Sequence, residues 1–237
     1  MDAMGAMDAM GGMPMPGGGT MSTPWMPMPG QTWAGAAASF LGMWVVMMVA
    51  MMLPSLVPAL WRYRHAIGRV GETLPGSQIA LMGVGYFVVW TAFGIAIYPL
   101  GVALAAVEMQ WPPLARVFPI AVGVVVLIAG ALQFTAWKAR RLACCREAPG
   151  RSLALPADAA TAWRHGLRLG LHCTACCAGL MAILLAIGVM DLRAMAAVMA
   201  AITAERLAPG GERVARAIGG VAVGAGLLLI ARAGVLG

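Results

Sequence analysis

Long apolar stretches alternate with short polar segments along most of this chain. An apolar helix of about 20 residues crosses the roughly 30 Å hydrocarbon layer of a membrane. Six stretches are predicted to be helices, at about 34–60, 77–107, 117–137, 169–190, 194–204 and 217–236. The fifth stretch is short and would cross only with help from its ends. The pattern predicts an all-α fold, a polytopic transmembrane helix bundle of about six spans.

Prolines and glycines are expected to shape these helices. Pro54 and Pro58 should kink or end the first helix, and Pro99 should bend or interrupt the second, because proline cannot donate the helical hydrogen bond. Glycines in the last stretch would let another helix approach closely. They are Gly219, Gly220, Gly224 and Gly226.

Residues 1–33 differ from the rest and form a leader rich in Met, Gly and Pro, without Lys or Arg. Such a segment buries too little apolar surface to fold alone, so we expect it to be disordered. It has neither the basic start nor the apolar core of a secretory signal. The predicted organisation is therefore a leader, 1–33, and a transmembrane helical domain, 34–237.

The composition supports the membrane assignment. The chain is 61% hydrophobic and 11% charged, with a mean hydropathy of +0.84, whereas about a quarter of the residues of a soluble domain are charged. The excess of basic over acidic residues, 16 against 9, then indicates orientation in a membrane rather than nucleic-acid binding. The expected location is a bacterial inner membrane, with the lipid bilayer as partner.

The basic residues predict which side each loop faces. Thirteen of the 16 lie in three alternate loops predicted at 61–76, 138–168 and 205–216. Loops rich in Lys and Arg are cytoplasmic, which puts the leader and the C-terminus outside. Six spans with an external N-terminus are unusual, so a further upstream span is expected.

The segment His172-Cys173-Thr174-Ala175-Cys176-Cys177 carries the strongest candidate chemistry. On a helix, Cys173 lies one turn from both Cys176 and Cys177, and His172 one turn from Cys176. Thiolates and imidazoles bind soft or borderline ions such as Cu(I) and Zn(II). Two further cysteines in the preceding loop, Cys144 and Cys145, could reach the same face, and Cys145 is included as a ligand.

Two alternatives to a metal site stay open for these cysteines. They could be small apolar packing residues. They could also undergo thiol redox chemistry through a Cys173–Cys176 or loop–helix disulfide, since adjacent cysteines form a strained bridge. The spacing is not that of a zinc ribbon, because a second matched pair is missing.

A methionine stripe in the first helix is a second soft-ligand region. Met43, Met47 and Met51 recur every four residues, with Met48 and Met52 beside them. Thioethers bind Cu(I) without adding charge, although methionine is also a common packing residue. The leader adds Met-x-x-Met and Met-Pro-Met steps. Leader, stripe and cysteines together predict a soft-metal path across the membrane.

Other functional signals are weak. Glu205 falls at a span end, and no predicted span has a carboxylate in its middle, which argues against a proton-driven transporter. The chain has neither a phosphate-binding glycine loop nor a nucleophile elbow. No catalytic residue is predicted, and a non-enzymatic role is favoured.

Two longer motifs carry a family resemblance: Met-Trp-Val-Val-Met-Met-Val-Ala-Met-Met-Leu-Pro-Ser at 43–55 and Gly-Leu-His-Cys-Thr-Ala-Cys-Cys-Ala-Gly-Leu-Met at 170–181. With them, residues 40–225 resemble a bacterial family of predicted metal-binding integral membrane proteins with AMMxPS and CxxCC motifs. Shorter matches are Gly85-Tyr86 with Trp90, Lys138, Cys145-Arg146 with Pro149, Gly188 with Met190, and Glu205-Arg206.

The resemblance implies metal binding through the three cysteines of the second motif. The chain departs from the family pattern in lacking one early span and in three residues. Ala178 stands where an aromatic is common, Arg206 where lysine is usual, and Arg141 where a loop cysteine is expected.

These observations predict a membrane protein that binds a soft metal, copper before zinc, and acts in its delivery, export or homeostasis. The predicted ligands are Cys173, Cys176, Cys177, His172, Cys145, Met43, Met47 and Met51. A periplasmic metal chaperone or another membrane subunit is the expected partner, and nucleic acid is not. The alternatives are a non-catalytic subunit or assembly partner of another complex, and a transmembrane thiol redox protein.

Overall fold

A computed structural model describes residues 13–14, 20–21, 25, 30–68, 76–147, 158–189 and 191–236. Within them the chain is almost entirely helical, and the predicted all-α class is confirmed. The helices are α1 Trp33–Gly68, α2 Gly76–Gln110, α3 Pro112–Leu132, α4 Ala136–Glu147, α5 Ala159–Ile187, α6 Leu192–Leu207 and α7 Gly211–Leu236. One antiparallel pair of two-residue strands, β1 Met13–Pro14 and β2 Thr20–Met21, lies in the leader. The rest of the predicted disordered leader, apart from Trp25 and 30–33, falls outside the described residues.

Four of the described helices are long and apolar enough to cross a membrane: Trp33–Trp61, Gly76–Val107, Ala159–Ile187 and Gly211–Gly234. A fifth crossing would come from Val117–Leu132 with Ala136–Cys144, a pair bent by 67°. The remaining helix, α6, has 16 residues and is therefore only about 24 Å long. The count is four or five spans, against about six predicted.

The predicted loops are shorter than expected because the helices extend into them. The loop at 138–168 is helical at both ends, through α4 and the first turns of α5. Ala, Lys, Arg and Leu, which dominate α4, are strong helix formers. The loop at 205–216 is reduced to the non-helical residues 208–210. The polar composition of the two loops therefore predicted the wrong ends for the helices beside them.

The start of α5 is set by a capping residue. The Asp158 carboxylate accepts a hydrogen bond from the Thr161 backbone N–H at 3.1 Å, which satisfies one of the unpaired donors of the first turn. The same bond lowers the pKa of the Asp158 carboxyl. The helix begins at Ala159, ten residues before the predicted Leu169, and ends before Gly188, whose φ of 134° favours glycine.

The prolines do not end the helices that contain them. Pro54 and Pro58 lie inside α1, and Pro99 lies inside α2. In a membrane, the backbone groups freed by proline are satisfied by neighbouring helices and local adjustment. The helices do not end or break at these prolines, and the alternative expectation of a kink or bend stays a prediction.

Helices α2 and α5 pack closely through glycines. A Cβ at Gly170 would lie 2.9 Å from Val89 Cβ and 3.0 Å from the Tyr86 carbonyl oxygen, and one at Gly166 would overlap the Met82 carbonyl. Only a residue without a side chain allows this approach. The contact brings Tyr86 of α2 against the cysteine segment of α5.

A second glycine contact joins α3 to α7. Cβ atoms at Gly219 and Gly226 would lie within 3.0 Å of α3, whereas Gly220 and Gly224 face open space. Two of the four glycines predicted to permit close packing therefore do so. Small residues are used in the same way at many membrane helix interfaces.

Aromatic residues join α1 to α2. The Trp44 indole donates a hydrogen bond of 2.9 Å to the Trp90 carbonyl oxygen. Phe40 lies between Trp44 and Tyr98, with ring centroids 5.8 and 5.1 Å away. Trp25 of the leader covers Phe40 at 5.1 Å. These contacts place the methionine stripe of α1 in the interior.

Candidate metal centre

The three clustered cysteines lie deep in the protein. Cys173, Cys176 and Cys177 are 0%, 2% and 2% exposed. Because α5 begins at Ala159, Cys173 lies about 21 Å along the helix. The cluster is therefore near the middle of a 29-residue helix, and not at the start of a span as predicted. The four cysteines whose side chains are described form no disulfide.

Two donors converge on the Cys173 sulfur. The Tyr86 hydroxyl donates a hydrogen bond of 3.0 Å to Sγ, and Arg206 Nη1 donates one of 3.1 Å. Tyr86 comes from α2 and Arg206 from the last turn of α6, so three helices meet at this atom. A guanidinium and a hydroxyl directed at one sulfur stabilise negative charge on it.

Cys177 lies one helical turn from Cys173, and the two sulfurs are 3.9 Å apart. The Cys176 thiol interacts with Cys177 as well. Sulfur–metal bonds are about 2.3 Å long, so two sulfurs on one ion lie up to about 4.6 Å apart. The Cys173–Cys177 pair thus has a spacing that fits one bound metal ion.

A buried ion pair supports the cluster from the side. Lys138 Nζ donates to Glu205 Oε2 at 2.7 Å and to the Cys176 carbonyl oxygen at 2.8 Å. Gln133 Nε2 donates to the other carboxylate oxygen, Oε1, at 2.8 Å. Lys138, Glu205 and Gln133 are 4%, 2% and 5% exposed. Removing one partner of such a pair leaves a buried charge and is strongly destabilising.

The bend between α3 and α4 makes this network possible. Gln133, at the break, and Lys138, in the first turns of α4, point back toward α5 and α6. A crevice of about 230 Å³ opens beside them, lined by Gln133, Thr135, Lys138, Leu142, Glu212 and Arg216. Glu205 is therefore a buried partner in a network, and not a carboxylate exposed at a span end as the sequence indicated.

His172 points to a different helix from Cys173. Its Nδ1 lies 3.9 Å from the Sγ of Cys144 on α4. Successive helical residues are rotated by about 100°, so His172 and Cys173 occupy different faces of α5. Cys144 is exposed and His172 half-buried. The side chain of Cys145, a predicted ligand, lies outside the described part of the chain.

The methionine stripe lies in the same hydrophobic core as the cysteines. Met47 and Met51 are 5% and 2% exposed, and Met43 is half-buried. Helix α1 packs mainly on α2 and α6, whereas α5 packs mainly on α2 and α3. The stripe and the thiols are therefore parts of one core reached from different helices.

The predicted ligands are only partly brought together. Within the residues described, no three His, Cys, Asp or Glu side chains form a group able to hold a metal ion. The structure groups Cys173 with Cys177 and Cys176, and separately His172 with Cys144. The role of each predicted ligand stays a prediction.

Four residues at the site were not predicted from the sequence as functional: Tyr86, Lys138, Glu205 and Arg206. They are scattered along the chain, and no local spacing links them to the cysteines. All four occur in the short matches that accompanied the family resemblance, which was the available signal. Only the fold shows that they surround Cys173 and Cys176.

Comparison with known proteins gives one finding. No curated protein matches the chain, and no solved structure does. The model of the PpoB2 family, described as a copper chaperone, matches residues 41–229. That range contains the methionine stripe, both cysteine groups and the buried ion pair. The chain belongs to this copper chaperone family.

Proposed function

We propose that this protein is a membrane copper chaperone that holds Cu(I) between Cys173 and Cys177. The observation that carries the proposal is the environment of Cys173, whose sulfur accepts hydrogen bonds from Tyr86 and Arg206 and lies 3.9 Å from Cys177. Soft thiolates favour Cu(I), which tolerates low coordination numbers. Cys176 lies beside this pair, and the proposed site is the two-thiolate pair itself.

The buried charges favour a monovalent ion. Lys138 and Glu205 neutralise each other at 2.7 Å, and the positively charged Arg206 guanidinium lies 3.1 Å from the Cys173 sulfur. Two thiolates with one Cu(I) carry a net charge of −1, and Arg206 balances it. With Zn(II), the same groups would leave a net charge of +1, and an uncompensated buried charge is costly.

The membrane arrangement is part of the proposal. The apolar helices α1, α2, α5 and α7 would cross a bacterial inner membrane, with the basic segment after the α1 span in the cytoplasm and the methionine-rich leader outside. Met43, Met47 and Met51 would then offer thioethers on the way between the leader and the thiols. The chaperone would exchange copper with a periplasmic metal chaperone or another membrane subunit.

Cu(I) titration of the full chain in detergent, without oxygen and against a chromogenic Cu(I) chelator, tests the buried pair. We expect the wild type to hold Cu(I) tightly and a Cys173→Ser/Cys177→Ser double variant to lose that affinity. His165→Gln is the matched control, because it removes a possible metal ligand on α5 that lies outside the pair. The control should keep the high-affinity site.

The proposal fails if the double variant holds Cu(I) as tightly as the wild type. The cysteines would then be packing residues, as expected of a non-catalytic subunit. Mass analysis after mild oxidation addresses the redox alternative. A Cys173–Cys176 disulfide that forms and reduces reversibly in copper-free protein would favour thiol redox chemistry.

A further inference from the structure

A second pair of soft ligands lies outside the buried cluster. Cys144, near the end of α4, and His172, in the middle of α5, come from different helices and place Sγ and Nδ1 3.9 Å apart. Cys144 is exposed and His172 is half-buried. Cys144 is absent from the predicted ligands, and His172 was expected to act with the buried cysteines.

The separation of these atoms suits a shared metal ion. A sulfur–metal bond of about 2.3 Å and an imidazole nitrogen–metal bond of about 2.0–2.1 Å together span up to about 4.4 Å. The observed 3.9 Å falls within this reach, so both atoms could bind one ion without movement of either helix. One thiolate and one imidazole form a donor set for soft and borderline ions.

The position of the Cys144–His172 pair relative to the buried thiols suggests a role in metal exchange. Cys173 is 0% exposed and Cys177 is 2% exposed, so neither is directly accessible to another protein. His172 precedes Cys173 in the chain but faces α4. A metal ion on Cys144 and His172 would therefore be one residue along α5 from the buried pair while lying at the surface of the helix bundle, where Cys144 is exposed.

We propose that Cys144 and His172 form a second metal site, an accessible exchange site through which Cu(I) enters or leaves the Cys173–Cys177 pair. Its role in exchange rests on the proposed function, whereas its ability to bind metal does not. The site holds the ion more weakly than the buried pair, because it offers one thiolate and one neutral imidazole in place of two thiolates. Loading through it limits how fast the buried pair fills.

The first experiment tests binding alone. In the full-length Cys173→Ser/Cys177→Ser variant, Cu(I) without any partner protein should bind in one equivalent. X-ray absorption should show one sulfur and one imidazole nitrogen neighbour. Adding Cys144→Ser or His172→Gln should abolish both the binding and the imidazole signal. His165→Gln, a histidine two turns earlier on α5, is the control and should leave both unchanged.

The second experiment tests exchange with the buried pair intact. Single Cys144→Ser and His172→Gln variants should take up Cu(I) from a chelator complex at least about 10-fold more slowly, since even the loss of an outer-shell contact at a metal site costs about 10- to 100-fold in affinity or activity. Their final affinity should equal that of the wild type. His165→Gln should load at the wild-type rate.

The two experiments separate this inference from the proposed function. The second site is overturned if adding Cys144→Ser or His172→Gln to the Cys173→Ser/Cys177→Ser variant leaves its Cu(I) binding unchanged. Unchanged loading rates would overturn its role in exchange. If the buried pair binds no Cu(I) but the first experiment succeeds, the proposed function fails while the Cys144–His172 site stands.

Discussion

Arg206 is the residue whose replacement tests the charge argument most directly. Its guanidinium lies 3.1 Å from the Cys173 sulfur and is 7% exposed. Arg206→Gln removes the positive charge and retains a polar side chain of moderate length. If Arg206 balances the Cu(I)–dithiolate charge, the variant should bind Cu(I) more weakly.

The size of the effect follows from the contact. A hydrogen bond to a charged group contributes about 1.5–3 kcal/mol. Because each 1.4 kcal/mol changes an equilibrium constant tenfold, Kd should rise roughly 10- to 150-fold. Burial limits screening by water and salt, so the increase should persist at high ionic strength. Arg206→Lys keeps the charge but not the planar fork and should recover most of the affinity.

The assay is competition for Cu(I) between the purified variant and a chromogenic chelator without oxygen. Arg213→Gln is the control, since Arg213 is an exposed arginine in the first turn of α7 and its loss changes the net charge equally. Thermal unfolding of the copper-free proteins verifies folding. A folded Arg206→Gln variant with the affinity of Arg213→Gln would refute the charge argument.

Three further predictions concern stability and the methionines. Lys138→Met should lower the free energy of unfolding by about 3–5 kcal/mol, because Glu205 is left buried without its cation. Chemical denaturation measures this loss. The double Lys138→Met/Glu205→Met variant should regain much of it, because no buried charge is left without a partner. Gly170→Ala should cost about 1–3 kcal/mol through overpacking, whereas Gly220→Ala, with open space beside it, should not lower the unfolding temperature. Met47→Leu should change the free energy of unfolding by less than about 1.5 kcal/mol. If the methionine stripe carries metal, the same substitution should slow Cu(I) loading. An unchanged loading rate would show that Met47 is a packing residue.

The helix class and the apolar segments could be predicted from the sequence because they depend on local composition. An apolar run long enough to span a bilayer must be helical to satisfy its own backbone groups. Each predicted segment overlaps a helix, while several ends disagree and most of α4 lies in a predicted loop. Helix limits depend on capping residues such as Asp158 and on how far amphipathic turns continue beyond the apolar run.

The cysteine segment was recognisable because its donors lie close together in the chain. Helical periodicity alone places Cys173 one turn from Cys177, and the two sulfurs lie 3.9 Å apart. The same periodicity places His172 one turn from Cys176 but does not reveal the neighbour that His172 has on another helix. Its partner in the structure is Cys144, on another helix, and a spacing rule within one helix cannot identify it.

The charged surroundings of the thiols were decided only by the tertiary structure. Lys138, Glu205 and Arg206 resemble loop or span-end charges in the sequence, where such residues are usually solvated. The bend after α3 and the close glycine contact between α2 and α5 bring these residues, with Tyr86, around Cys173 and Cys176. Composition therefore determined that the chain is helical, that several of its helices are apolar enough to span a membrane, and that it is rich in methionine. The charge balance at its thiols depends on contacts between residues 33 to 87 positions apart, which only the packed helices create.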